Sequence, residues 1–551
     1  MNTVISKFIR VWRSWSCLFL LASQLLAGRY YVAPTGNDAN PGTATLPWRS
    51  IKIANQRLQP GDTLNLRQGR YNETIQPVNS GTAVAPIVFR SYPSEVAVIH
   101  SRPVGVNLSG RSYIIIDGIY FERCNYFVRS YPEGFDHCTI RNCVMNEQTG
   151  WCGIEVGDGS SYNQVLDNFI NGSGIEGDAI HIGSDDVGEK YGAQYNLIAN
   201  NECTGTMHGG ICCAGDRTQF NIIRNNYVHD IGDVSIATGA LTRWVLIEGN
   251  RCQNPGGDPD GACGIQIRSD YTIVRRNIVT RDLHSKVDGS GAGIELQSTS
   301  ERPWVRYNKV YHNVIANFNQ GNTTWYGIKL AVYNTEVPFG PNIFKNNIIF
   351  NNGTGSQQGF QIGFTRMINA LPLEYFDGNL ISTGTFGQPV IYFFEYNRQQ
   401  LSLAAAIAQY PEVFGSHNLD ADPHFADKNK LDFQLTSQSP CIDAGVSLTK
   451  TVDEGSGTQI QVEDASYFCD GWGIIEGDVI QIGDHEPVQI IAIDYATQIV
   501  TINRALQWQA GEGVSFPYCG LAPEIGAHEY CVQKDTSAPR SPQNIKISGS
   551  L

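Results

Sequence analysis

Asn201-Glu-Cys-Thr-Gly-Thr-Met-His-Gly-Gly-Ile-Cys-Cys213, followed by Asn226-Tyr-Val-His-Asp-Ile-Gly-Asp-Val-Ser-Ile-Ala-Thr238, states one pattern twice. Each copy has an Asn, an apolar residue two positions on, a polar turn with Gly, and a segment ending apolar-x-apolar. Working outward, the same Asn recurs at Asn142, Asn168, Asn201, Asn226, Asn250, Asn277, Asn313 and Asn347, at spacings of 26, 33, 25, 24, 27, 36 and 34 residues. Repeats of this length, built of short β segments without helical periodicity, mark a solenoid, because one unit cannot bury its own apolar face and stacking does. The residues two past each Asn (Val144, Ile170, Cys203, Val228, Cys252, Val279, Ile315, Ile349) form one inward column. A second column reads Ile154, Ile180, Ile211, Ile236, Ile265, Ile294, Ile328 and Phe360, with its partner two residues later, as strand alternation requires. An Asn at one corner of every coil bonds to the corners above and below, satisfying turn groups that no strand ladder reaches. The fold class is therefore all-β: a single-stranded parallel β-helix with an asparagine ladder.

Composition agrees with this reading. Charged residues make up only 17%, aromatics 10%, and Gly numbers 57 of 551 residues, which excludes a disordered or coiled-coil chain. The formal charge of −14 argues against nucleic acid or an anionic membrane surface as partner. Residues 1–28 read as an export signal, with Lys7, Arg10 and Arg13 ahead of the apolar run from Cys17 to Ala27, which is too short to span a bilayer. The protein is expected to be secreted, extracellular or periplasmic, a monomer, with no membrane span. Cys17 lies in that segment, leaving 13 of the 14 Cys, an odd number. Cys143 with Cys152, Cys124 with Cys138, Cys252 with Cys263, Cys469 with Cys519, and Cys441 with Cys531 are the pairs the sequence offers.

The chain divides into the solenoid over 29–445, a small antiparallel β module over 446–518 inserted near the C-terminus, a closing strand within 519–532, and a linker or truncated fibronectin-like start over 533–551. A short helix within Pro47–Leu58 caps the open N-terminal end, and an Ala-rich helix over Leu401–Tyr410 lies across the side of the solenoid.

Several stretches resemble a known group. Tyr30-Tyr31-Val32-Ala33-Pro34-Thr35-Gly36-Asn37-Asp38, Pro60-Gly61-Asp62-Thr63 and Gly69-Arg70-Tyr71 at the front, with Ser439-Pro440-Cys441-Ile442-Asp443 and Glu524-Ile525-Gly526-Ala527-His528-Glu529-Tyr530 at the back, look like secreted right-handed parallel β-helix proteins of the pectate lyase-like superfamily, of the chondroitinase B, alginate lyase and pectate lyase type. The resemblance covers roughly residues 30 to 530. It implies a polysaccharide partner and lysis of a uronic-acid polymer, commonly assisted by Ca²⁺, with a Lys or Arg as the base. The fold itself hosts many chemistries, so the site must be argued from residues.

The residues directly after the second column (Glu155, His181, Cys212, Ala237, Gln266, Glu295, Lys329, Gln361) are expected to point outward. β-Elimination needs a base for the proton beside a carboxylate and a cation to hold that carboxylate. On that logic Lys286 and Lys329 are the base candidates, with His208 and His181 as alternative acid or base, and Arg268 holds the substrate carboxylate. Asp258, Asp260, Asp288 and Glu295 are the Ca²⁺ candidates. Trp151 and Trp325, just ahead of equivalent strands, with Gln266 and Arg243, are the substrate-binding candidates. Two other classes stay open: a glycoside hydrolase using two of Asp178, Asp233 and Glu295, and a non-catalytic polysaccharide-binding surface protein.

Overall fold

The computed structural model describes residues 27–184, 191–239, 241–256, 262–282, 291–298, 304–318, 325–333, 339–353, 359–365, 374–394 and 398–531. Three long sheets of 13, 12 and 12 strands run along a β-helix; they are parallel throughout except for one antiparallel strand that ends the third, and successive coils add strands to each. The inward column of the second sheet is Met145, Ile170, Cys203, Val228, Cys252, Val279, Ile315, Ile349 and Ile381, all fully buried. Met145, rather than Val144, stands beside Ile170 and continues the column from Tyr71, Ile99 and Phe121. The ladder correspondingly starts at Asn168, whose Oδ1 accepts from Cys143 N at 3.0 Å; Asn142 is exposed, with φ of 54°, and donates to Asp117 instead.

From Asn168 each Nδ2 donates to the Oδ1 of the next Asn at 2.9–3.0 Å, through Asn201, Asn226, Asn250, Asn277, Asn313, Asn347 and Asn379 to Asn418. The residue before each ladder position from Asn168 to Asn379 has a left-handed backbone; Asp167, Asn200, Asn225 and Gly249 are types that tolerate it at low cost. A second ladder on the opposite corner of the first sheet joins Asn163, Asn196 and Asn221, and then Asn308 and Asn342. It ends on Glu374, which accepts from Asn342 Nδ2 at 3.2 Å and is 1% exposed. Burial pushes the Glu374 carboxyl well above its usual range. A carboxyl raised on folding lends stability that is intact below its unfolded value of about 4.5 and drains away as pH rises toward its folded value. Glu374→Gln keeps the acceptor and removes the charge, so it is expected to raise the thermal midpoint at pH 8 and leave it nearly unchanged at pH 4. An equal gain at both would mean that the carboxyl titrates in the fold as it does in the unfolded chain.

A third column covers the corner before the first sheet. Tyr113, His137, Tyr162, Tyr195, Phe220, Trp244, Tyr271 and Tyr307 all carry positive φ and stack in sequence, with ring centroids 4.7 to 6.3 Å apart. Ring stacking here offsets a backbone conformation that aromatic side chains otherwise avoid.

Both ends of the stack are closed. The helix Ile51–Arg57 buries Ile51 and Ala54 against the first coils, its leading N–H groups accepted by the Glu73 carboxylate. At the far end the strand Gln399–Ser402 pairs antiparallel with Pro389–Phe393, and the helix Leu403–Gln409 follows, burying Leu403 and Ala406 in the solenoid core. That helix caps the end of the stack rather than crossing its side, because the last coil leaves its apolar interior open there.

Thr449 to Ser515 form a six-stranded antiparallel sheet that docks on the outer face of the first sheet. Leu197, Ile222, Leu246, Ile273 and Tyr311 share one apolar cluster with Phe468, Ile480, Ile490 and Phe516. Trp472 meets Phe220 at 5.5 Å and Tyr495 meets Trp244 at 4.6 Å. Asp478 forms a two-armed pair with Arg275 at 2.6 Å, Asp464 pairs with Lys309 at 2.6 Å, and Leu448 O accepts from Lys345 Nζ at 2.8 Å. The outer face of the second sheet is covered toward its end by Phe433, Leu435, Cys441 and Ile525.

Residues 519–531 form no strand; Ile525 and Gly526 make single backbone bonds to Cys441 O and Asn346 O instead. The disulfide in this segment joins Cys519 to Cys531, which leaves Cys441 and Cys469 as thiols and replaces both of the long-range pairs read from the sequence. Cys124, Cys138, Cys143, Cys152, Cys252 and Cys263 are buried thiols too. Among the described residues no helix is long and apolar enough to cross a membrane. The export signal, except Ala27 and Gly28, and the tail after Cys531 lie outside the described residues.

Candidate functional site

With the first sheet covered by the small module and the second partly covered by the C-terminal segment, the third sheet is the remaining outer face; most of its outward residues are buried, while the Lys329 side chain is 22% exposed and that of His208, just ahead of its strand, 50%. Its strands share the in-register column Ile154, Ile180, Ile211, Ile236, Ile265, Ile294, Ile328, Ile362 and Ile391. Ile362, not Phe360, takes the place beside Ile328, so Gly363 follows Lys329 on the outside and Gln361 points inward, accepting from Asn352 N at 3.0 Å. The residue before each Ile also faces in, and it is small from Gly153 to Gly327: Ala179 lies in the core, and a Cβ on Gly210 would strike Val228. Two adjacent inward residues break the strict alternation of a flat strand. The positions on either side of that pair therefore both face out. One outer row is Asp178, Gly209, Val234, Cys263, Ala292, Tyr326 and Phe360; the other is His181, Cys212, Ala237, Gln266, Glu295, Lys329 and Gly363.

At the early end of this face sits a buried carboxylate with two imidazoles. Asp178 is fully buried; its Oδ2 accepts from His181 Nδ1 at 2.8 Å and its Oδ1 from His208 Nδ1 at 2.7 Å. Burial alone would raise the Asp178 carboxyl, but the bonds and charge of the two histidines outweigh it and hold it at about 2. Ionised, Asp178 can only accept, so both Nδ1 atoms carry hydrogen. His181 is 2% exposed, whereas the His208 side chain is 50% exposed. The Trp151 ring, 43% exposed, lies 4.7 Å from the His181 ring. The Cys212 thiol completes the group, with ligand atoms of Asp178, His208 and Cys212 all within 4.8 Å of one another.

Residues 30–193 match the family described as Pel9A-like, right handed beta helix region, and residues 173–337 match the right handed beta helix region family. The chain is a pectate lyase-like right-handed β-helix protein. The protein YwoF of Bacillus subtilis is 29% identical over 150 residues, 26% of this chain and 28% of that protein. Pectate lyase PEL9 of Emericella nidulans is 43% identical over 77 residues, 14% of this chain and 19% of its own length. The aligned stretch thus spans less than a third of each relative. The crystal structure of pectate lyase Pel9A superposes with a TM-score of 0.43 at 14% identity, covering 92% of this chain and 98% of that one.

Further along the β-helix face lies a second charged group. Glu295 is buried; its Oε1 pairs with Lys329 Nζ at 2.8 Å and its Oε2 accepts from Gln266 Nε2 at 2.8 Å and Cys263 Sγ at 3.1 Å. The side-by-side placement of Glu295 and Lys329 is as the sequence predicts, but their environment alters their roles. Burial alone would favour a neutral Lys329 amine, yet the Glu295 charge pushes it well up, so Lys329 holds its proton and is a cation rather than a base. Burial likewise favours the acid form of Glu295, and Lys329 reverses that. Both Glu295 oxygens are engaged, which ill suits a Ca²⁺ ligand, and Gln266 spends its amide on Glu295 rather than facing substrate.

Trp325 is a second correction. It is 1% exposed, with Arg281 stacked 4.2 Å from its ring centroid and Phe318 at 5.6 Å, so it is core and not a sugar platform. Arg268 follows its strand half-buried at the edge of the face, and Arg243 is exposed at the corner where the third sheet's coil turns into the first sheet. Asp258, Asp260, Lys286 and Asp288 lie outside the described residues. The described donors do not fit Ca²⁺: among them, the group with metal-ligand spacing is Asp178, His208 and Cys212, and a thiol suits a softer ion than calcium. Cys212 was legible as an outward residue without a role. The signal that identifies it is the spacing of three in Asp178-Ala-Ile-His181 and Gly209-Gly-Ile-Cys212, read across a pair of inward residues.

Proposed function

We propose that this protein is a polysaccharide lyase that cleaves a uronic-acid-containing polymer by β-elimination along the outer face of the third sheet, with His208 as the base. The observation that carries the reading is the half-exposed His208 imidazole, bonded through Nδ1 to an ionised, buried Asp178. That bond fixes the tautomer, so the proton is taken at Nε2, and the carboxylate stabilises the imidazolium that results. The base removes the hydrogen beside the substrate carboxylate; the electron pair forms the new carbon–carbon double bond as the neighbouring carbon–oxygen bond breaks, and the departing sugar oxygen takes a proton. Five coil steps separate His181 from Lys329, roughly 24 Å at the strand spacing, a length that suits a polymer. Arg268 supplies positive charge beside it, Lys329 presents an ammonium already paired with Glu295, and Trp151 offers a ring for a sugar face.

Names of the relatives point the same way, since one is a pectate lyase. The hydrolase reading is less well supported. Asp178 and Glu295 are four coil steps apart, roughly 19 Å, and Asp233, next to Val234 in the outer row, lies about two coil steps, roughly 10 Å, from each, whereas hydrolysis uses carboxyl pairs about 5–9.5 Å apart. The test is ultraviolet absorbance of the unsaturated uronate on pectate, alginate, chondroitin, hyaluronan and heparan. A rise supports elimination; new reducing ends without that absorbance would overturn it in favour of hydrolysis.

A further inference from the structure

The cluster at the early end of the face combines three chemically different donors: the Asp178 carboxylate, the His208 imidazole and the Cys212 thiol, with ligand atoms within 4.8 Å of one another. Asp178 and Cys212 are buried, 0% and 6% exposed, while the His208 side chain is half exposed to solvent. Local backbone makes the convergence happen. Gly209 sits between the donors, and a Cβ there would stand 2.3 Å from Asp178 Oδ1 and 2.5 Å from Cys212 Sγ. Any residue but Gly would fill the space in which carboxylate and thiol meet. His181 Nδ1 holds the other Asp178 oxygen at 2.8 Å, which orients the carboxylate with Oδ1 toward His208 and Cys212, as an outer-shell partner does in a metal site.

We propose that Asp178, His208 and Cys212 form a binding site for a borderline-soft divalent cation of the Zn²⁺ class, with its remaining coordination position on the solvent side, where His208 is exposed. Three ligands of the S, N and O types with one position left open is the donor pattern of zinc sites that exchange a water or substrate. The thiol sets the preference: Ca²⁺ and Mg²⁺ bind oxygen cages, whereas thiolate and imidazole favour Zn²⁺ and its neighbours. Binding releases the Cys212 thiol proton, and the extra imidazole proton where His208 carries one, so uptake strengthens as pH rises. The other thiol–carboxylate pair on this face, Cys263 with Glu295, lacks an imidazole and has its charge met by Lys329, so it offers a cation little.

The site shares His208 with the proposed base, and an ion there takes the imidazole out of proton transfer; Zn²⁺ is therefore expected to inhibit elimination. Binding is read without substrate, so either proposal can fail alone. The full chain, treated with chelator under mild reduction, is titrated with Co²⁺ as a spectroscopic stand-in. The expected result is a saturable thiolate-to-cobalt charge-transfer band at one ion per chain, abolished by excess Zn²⁺ and unmoved by Ca²⁺. Cys212→Ser is expected to remove the band, His208→Gln to weaken Co²⁺ binding at least tenfold, and Cys263→Ser to leave both intact. Circular dichroism and melting of each variant separate lost ligation from lost fold. No band in the native chain, a band that survives Cys212→Ser, or displacement by Ca²⁺ as readily as by Zn²⁺ overturns the site.

Discussion

Asn277→Ala is expected to destabilise the protein by about 3–5 kcal/mol, a large loss for one exchange of a polar residue. Asn277 Oδ1 accepts from both Asn250 N and Asn250 Nδ2, and its own Nδ2 donates to Ile247 O and Asn313 Oδ1, all at 2.9–3.0 Å in a fully buried corner. Removing the side chain strands Asn250 N–H and Ile247 O away from water, and each buried orphan costs about 1–3 kcal/mol. Asn142→Gly is the control. It lies off the ladder on an exposed left-handed residue, so it is expected to change the thermal midpoint little. Equal effects from the two would mean that the ladder bonds contribute nothing beyond the turn.

His208→Ala is expected to lower kcat for elimination by about 10²–10⁴, the usual contribution of a positioned base, with the fold retained because the side chain is half exposed. Asp178→Asn tests the same pair from behind: it keeps the shape but cannot accept from two imidazoles, so kcat should fall with little change in KM. The contrast is the double variant Lys329→Met with Glu295→Gln, which removes the buried pair together and so avoids leaving one charge unpaired. It is expected to raise KM while keeping kcat within about tenfold. Full turnover in His208→Ala alongside a dead double variant would transfer the base to Lys329.

The architecture was legible because its signal is periodic. A ladder Asn and the apolar residue two positions later recur in nearly every coil, so one error, such as Asn142 for Cys143 or Phe360 for Ile362, shifts a single rung and leaves the stack intact. The site was legible in part: His181, His208 and Asp178 were singled out, but not as one group. Simple alternation places Asp178 on the same side as Ile180, and only the pair of inward residues at Ala179 and Ile180 brings it out beside His181. Lys329 and Glu295 were found side by side, yet their burial, which fixes which of them can move a proton, depends on neighbours such as Cys263 and Gln266 from other coils. Trp325 fails for the same reason: position in the repeat gives the row, and local packing gives the exposure.

The small C-terminal sheet has a mechanical consequence. A bare stack of coils is a one-dimensional array whose end rungs peel away singly, since each touches only its neighbours. Here one rigid block is riveted across successive strands of the first sheet, at Phe220, Trp244, Arg275, Lys309 and Lys345. Those rungs cannot part until the block lets go, so the middle of the rod yields as a unit under load. In a pulling experiment that span should rupture in a single event, and cutting the Arg275–Asp478 rivet should turn that event into a series of smaller steps.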